Sequence, residues 1–172
     1  MEMAYTELNA KLCAFLDKTP NSFFAVNNIK EELAAVGFTE LQENSRWQLQ
    51  EGGKYYVSRN GSALLAFVIP KKSYLGFQVY ACHCDSPAFK LKNNAEIVVD
   101  KKYVKLNVEK YGGMLLNTWL DRPLSVAGRV LCNVDGRLEA RLVNVEQDPA
   151  EVVGGGLRRY LRADCRYGAF PV

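Results

Sequence analysis

Apolar residues at Leu8, Leu12, Phe15 and Leu16 recur at the spacing of one helical face, which predicts a helix over residues 5–19 stopped by Thr19-Pro20. Val26, Ile29, Leu33 and Val36 repeat the pattern, so a second helix is expected to start at an N-cap region around Ser22 and to close at Gly37. From Trp47 the texture turns to strands. Trp47-Gln48-Leu49 leads through Glu51-Gly52-Gly53-Lys54 to Tyr55–Ser58, and Asn60-Gly61 is a hairpin turn followed by the apolar run 62–69. Residues 76–81 read as a further strand, expected to be buried beside 62–69 and to end at Cys82-His83-Cys84-Asp85-Ser86-Pro87. Four more strands follow, at 96–99, 103–108, 126–134 and 138–145. They are separated by Asp100-Lys101-Lys102, Gly112-Gly113 and Asp135-Gly136. Helices followed by many strands predict an α/β arrangement, with α+β as the other possibility.

Composition supports a folded chain. The 172 residues are 48% hydrophobic and 24% charged, enough for one ordinary domain with a core. No run of about 18 apolar residues is present, so a membrane partner is not expected. Of the net charge of +3, residues 149–172 carry +2, from Arg158, Arg159, Arg162 and Arg166 against Glu151 and Asp164. A nearly neutral body excludes the basic footprint of a nucleic-acid binder. Five cysteines without a CxxC pair, behind an acidic N-terminus that has no secretory pattern, predict reduced thiols and a cytoplasmic protein.

His83 is the only histidine, so any chemistry that needs two imidazoles cannot be completed within these residues. On a strand, His83 and Asp85 would point to one face and Cys82 and Cys84 to the other. That placement suits an imidazole metal ligand with a carboxylate beside it, and equally a structural hydrogen-bonded pair. It argues against Cys82-His83-Cys84 gripping one ion together. Tyr111–Leu124 forms a second cluster, in which Gly112-Gly113 allows a tight turn, Asp121-Arg122 could pair as ions and Trp119 could anchor packing. Gly154-Gly155-Gly156 lacks the Lys and Ser/Thr of a phosphate loop, and Ser86 and Ser125 lack the further histidine of a triad.

Taken in order, these motifs resemble the aspartyl and vacuolar aminopeptidases, a family of dinuclear zinc metallopeptidases. The resemblance covers roughly residues 8–148. It is carried by Thr19–Val26, Gly37-Phe38, Trp47, Tyr55-Tyr56, Arg59–Ser62, His83–Pro87 (with Cys84 where the family has threonine), Tyr111–Gly113 and Trp119–Val130. It implies His83 as a metal ligand and Asp85 in the catalytic machinery, as the carboxylate supporting the metal-bound imidazole. Asp121 is not assigned to zinc, and the family's other ligands would lie downstream of these residues. The resemblance also implies zinc as cofactor, two ions in the complete family, a peptide substrate with a possibly acidic N-terminal residue, and homo-oligomers.

The expected organisation is the N-terminal part of a peptidase α/β domain at 1–100, the start of an inserted β-rich assembly domain at 101–148, and a divergent tail at 149–172. From Asp148 the tail departs from the family and has the texture of a shifted reading frame or a truncated product. The nucleotide sequence beyond codon 148 decides between these and a genuine terminus. The function expected is that of an N-terminal fragment of a zinc aminopeptidase, inactive alone, with a non-catalytic assembly or regulatory fragment of the same fold as the alternative.

Overall fold

The computed structural model describes residues 2–120 and 123–145. The chain divides into two compact units, residues 1–85 and 86 onward.

The first unit opens with α1 (Glu2–Asp17) and α2 (Ser22–Ala35). The cap of α2 is Asn21, one residue earlier than expected; its Oδ1 accepts from the Phe23 and Phe24 amides at 3.0 and 3.3 Å. At the other end Gly37 adopts φ +86°, and the Gly37 and Phe38 amides bond back to the carbonyls of Ala34 and Leu33. This double closure satisfies two carbonyls that the helix leaves open. Next come β1 (Thr39–Glu40), β2 (Lys54–Arg59) and β3 (Ala63–Val68), which form a mixed sheet in that order, with β1 parallel to β2 and β3 antiparallel to it. The β2–β3 turn is made at Asn60 and Gly61, φ +54° and +66°, the left-handed pair a tight hairpin requires. Ala25 and Val26 of α2 and Tyr55 and Tyr56 of β2 are buried and form the core of this unit.

Two strands expected from the sequence are absent. Trp47-Gln48-Leu49 is held by side chains instead of a ladder: the Trp47 indole donates to the Gln42 carbonyl at 2.8 Å, and the Gln50 amide donates to the Tyr55 hydroxyl. Residues 76–81 are neither strand nor buried. Leu75, Phe77, Val79 and Tyr80 are exposed, and residues 73–82 make no backbone hydrogen bond to another described residue. The segment has strand composition, but among the described residues no second strand lies alongside to complete a ladder, and β3 itself is mostly exposed. Conversely, β1 is too short to register as a pattern.

The described residues of the second unit form two hairpins with a 3-10 turn (Leu116–Thr118) between them. β4 (Ala88–Val99) pairs with β5 (Tyr103–Tyr111) across a turn at Asp100 and Lys101, and β6 (Val126–Val134) pairs with β7 (Arg137–Val145) across Asp135-Gly136. The β4–β5 ladder thus joins residues on both sides of position 100. Its register slips between Leu91 and Glu96, where the Asn107 side chain donates to the Asn94 carbonyl at 3.0 Å. Phe89 stacks edge-on against Trp119, which is the packing role expected of that tryptophan, while Cys132, Val143 and Val145 are buried. Asp121-Arg122 and the divergent tail lie outside the described residues. The architecture is α/β, and among the described residues no helix is long and apolar enough to cross a membrane.

One polar cluster ties α2 to the sheet. Glu40 of β1 accepts from Lys30 at 2.7 Å and from the Ser58 hydroxyl at 3.1 Å. Partial burial pushes the Glu40 carboxyl up, but Lys30, Ser58 and Tyr56 together outweigh it and hold the group below the usual carboxylate range. A lowered folded value means this stabilisation is complete above the ordinary carboxylate range and disappears as pH falls through the lowered value. Glu40→Gln is therefore expected to cost roughly 1–2 kcal/mol at neutral pH. Denaturant unfolding followed by tryptophan fluorescence should show the gap between variant and parent closing under strong acid.

Candidate functional site

The segment after β3 carries the His83-Cys84-Asp85 motif. The His83 Nδ1 lies 2.9 Å from Asp85 Oδ1. An ionised carboxylate can only accept, so this contact places a proton on Nδ1, and in the neutral ring the lone pair is then on Nε2. The His83 side chain is 91% exposed, whereas that of Asp85 is 35% exposed. Nε2 is thus presented to the surroundings while the carboxylate beside Nδ1 is partly sheltered. Cys84 turns away from this pair, and its thiol donates to the Ser62 carbonyl at 3.1 Å, which fastens the motif to the β2–β3 turn. The side chains alternate as they would on a strand, although no strand is formed there.

The motif ends at Pro87, in the second unit, which is packed by the glycine of the later cluster. A Cβ added at Gly112 would lie 3.4 Å from Pro87 Cα, and Gly112 has φ +73°. The backbone conformation favours glycine at this position, while the space would admit a Cβ in ordinary contact with Pro87. The sequence marked Gly112-Gly113 as a turn but carried no signal that Pro87 would be its neighbour. The Ser62 carbonyl, a main-chain acceptor, had no signature either.

An imidazole whose Nδ1–H is held by a carboxylate suits a zinc ion at Nε2, because the carboxylate fixes the tautomer and raises the basicity of the ring. His83 and Asp85 therefore fit the contribution of one ligand and its support. Among the described residues no group of three or more His, Cys, Asp or Glu side chains could hold a metal, whereas a catalytic zinc commonly takes three protein ligands. The remaining electrostatic features are peripheral: Arg59 and Glu43 form an exposed ion pair, and Lys90 and Glu109 pair across the β4–β5 ladder.

Residues 15–153 match the family described as aminopeptidase I zinc metalloprotease (M18). The chain is 44% identical over 141 residues to a probable M18 family aminopeptidase 2 of Clostridium novyi, covering 80% of this chain and 33% of that protein. A protein of the same description from Pseudomonas aeruginosa is 42% identical over 140 residues, covering 80% of this chain and 32% of the relative. Among solved structures, the one described as the Ape4 and Nbr1 complex superposes with a TM-score of 0.75 at 38% identity, over 78% of this chain and 26% of that chain. The S. cerevisiae mApe1 dodecamer gives 0.72 at 29% identity, over 85% and 35%. The M18 aminopeptidase of Thermotoga maritima shares the fold with a TM-score of 0.73 at 24% identity, over 87% and 32%. The chain spans about a third of the length of the relatives it matches. It belongs to the M18 family of zinc metallo-aminopeptidases.

Proposed function

We propose that this chain is the N-terminal portion of an M18 aminopeptidase and that His83 is a zinc ligand oriented by Asp85. The observation that carries this reading is the 2.9 Å contact between His83 Nδ1 and Asp85 Oδ1, within a chain of this family, which leaves Nε2 available. When zinc is bound, the ion supplies a nucleophilic water near neutral pH and polarises the scissile carbonyl. The part played by these residues is narrower: Nε2 of His83 holds the ion, and Asp85 holds the Nδ1 proton and so the ring orientation. The full site contains two ions, and the substrate is a peptide whose N-terminal residue is released, with acidic residues preferred. The complete protein is a cytoplasmic homo-oligomer, in keeping with the dodecameric relative. The second unit is the start of the β-rich assembly domain, and the division of the chain favours a beginning near Ser86 over position 101.

The sequence supplies one imidazole, and among the described residues no group of three or more His, Cys, Asp or Glu side chains could hold a metal, which supports the reading that these residues alone are inactive. The same observation supports the second reading, a non-catalytic assembly or regulatory fragment. The 172-residue chain supplied with zinc is expected to show no turnover of peptides with acidic N-termini above a His83→Ala control. Chelator-sensitive turnover that disappears in His83→Ala would refute the inactivity.

The ligand assignment is tested by replacing the matching third of the Clostridium novyi relative with residues 15–145. The chimera is expected to hydrolyse N-terminal residues, to lose activity and one zinc site with His83→Ala, and to bind zinc roughly 10–100-fold more weakly with Asp85→Ala. An unchanged zinc content in the His83→Ala chimera would exclude His83 as a ligand.

A further inference from the structure

We propose that Asn60, in the β2–β3 turn, is a site of spontaneous deamidation, and that its isoaspartate product releases Cys84 from the turn. Asn60 is the only asparagine in the sequence followed by glycine. The glycine matters because the attacking atom is the amide nitrogen of the next residue, and a Cβ there would crowd the approach. The Gly61 amide makes no hydrogen bond to another described residue, and both turn residues are exposed. The turn is closed by a main-chain hydrogen bond of 3.2 Å, donated by the Ser62 amide to the Arg59 carbonyl. Asn60 holds φ +54°, a conformation that a residue with a Cβ adopts at some cost. The end of the hairpin can therefore open locally while the ladder that begins at Arg59 and Ala63 stays paired.

The chemistry needs only water. In the opened turn the Gly61 nitrogen gives up its proton and bonds to Cγ of Asn60. The side-chain nitrogen leaves with that proton as ammonia, and a cyclic imide closes between the two residues. Water then opens the imide. Cleavage at Cγ leaves an aspartate on an unchanged main chain, whereas cleavage at the main-chain carbonyl leaves isoaspartate, in which the chain runs through Cβ. The isoaspartate lengthens the main chain by one methylene just ahead of Ser62. A turn set by positive φ at two consecutive residues cannot absorb that atom with the Ser62 carbonyl unmoved. That carbonyl accepts from the Cys84 thiol at 3.1 Å, so the change frees the thiol and loosens the His83-Cys84-Asp85 motif. None of this depends on whether His83 binds zinc.

The test is peptide mapping by mass spectrometry on the full 172-residue chain held at mildly alkaline pH, which favours the deprotonated Gly61 nitrogen. Asn44, exposed and followed by serine, is the internal reference. Asn60 is expected to convert faster than Asn44, yielding both aspartate and isoaspartate. In the isoaspartate fraction Cys84 is expected to react with iodoacetamide roughly fivefold faster, the worth of one ordinary hydrogen bond. Asn60→Gly retains a residue suited to positive φ and has no side-chain amide, so its Cys84 reactivity should not change with time. Conversion of Asn60 no faster than that of Asn44 would mean that the turn protects the asparagine, and would overturn the proposal. Unchanged Cys84 reactivity in the isoaspartate fraction, or an equal rise with time in Asn60→Gly, would overturn it as well.

Discussion

A strand persists only where its amide and carbonyl groups meet a second strand, and that requirement organises this molecule. Almost every ladder is closed by a turn of two or three residues: Asn60-Gly61 for β2–β3, Asp100-Lys101 for β4–β5 and Asp135-Gly136 for β6–β7. The parallel pairing of β1 with β2 is the exception, and it spans two residues. Local closure costs little chain entropy, so hairpins form wherever the turn residues allow positive φ. Residues 76–81 have strand composition but no turn leading into a partner, and they pair with no strand among the described residues. The His83-Asp85 motif follows directly, so its position rests on local contacts: the carboxylate on one side of the chain and the Cys84–Ser62 hydrogen bond on the other.

This explains which parts of the fold were legible in the sequence. Turn chemistry and helix caps are local, and the elements they bound were placed to within a few residues. Gly37 ended α2 as expected, whereas Asn21 rather than Ser22 capped it, because the side chain of Asn21 reaches the Phe23 and Phe24 amides. The tertiary expectation that 62–69 and 76–81 would be buried neighbours failed. Apolarity reports a tendency to be covered, and it does not say which residues provide the cover. Trp47 misled in the same way, since its indole found a main-chain carbonyl five residues back.

The His83–Asp85 contact was legible from the spacing of the two residues, and its surroundings were not. Spacing alone could not separate a ligand with its carboxylate from an ordinary structural pair. In the structure His83 is the more exposed partner and Asp85 the more sheltered one, an arrangement that suits either reading. Contacts made by main-chain groups, the Ser62 carbonyl and the Pro87 backbone beside Gly112, leave no trace in residue type except the glycine itself.

Because His83 is the only histidine, its ring nitrogens can be observed without ambiguity in the intact chain. Nitrogen-15 NMR of the imidazole, at a pH where the ring is neutral, measures which nitrogen carries the proton. The account requires the Nδ1–H tautomer to dominate, held by Asp85, with the preference lost in Asp85→Ala. A ring protonated mainly at Nε2 in the parent chain, or a tautomer balance indifferent to Asp85, would contradict it.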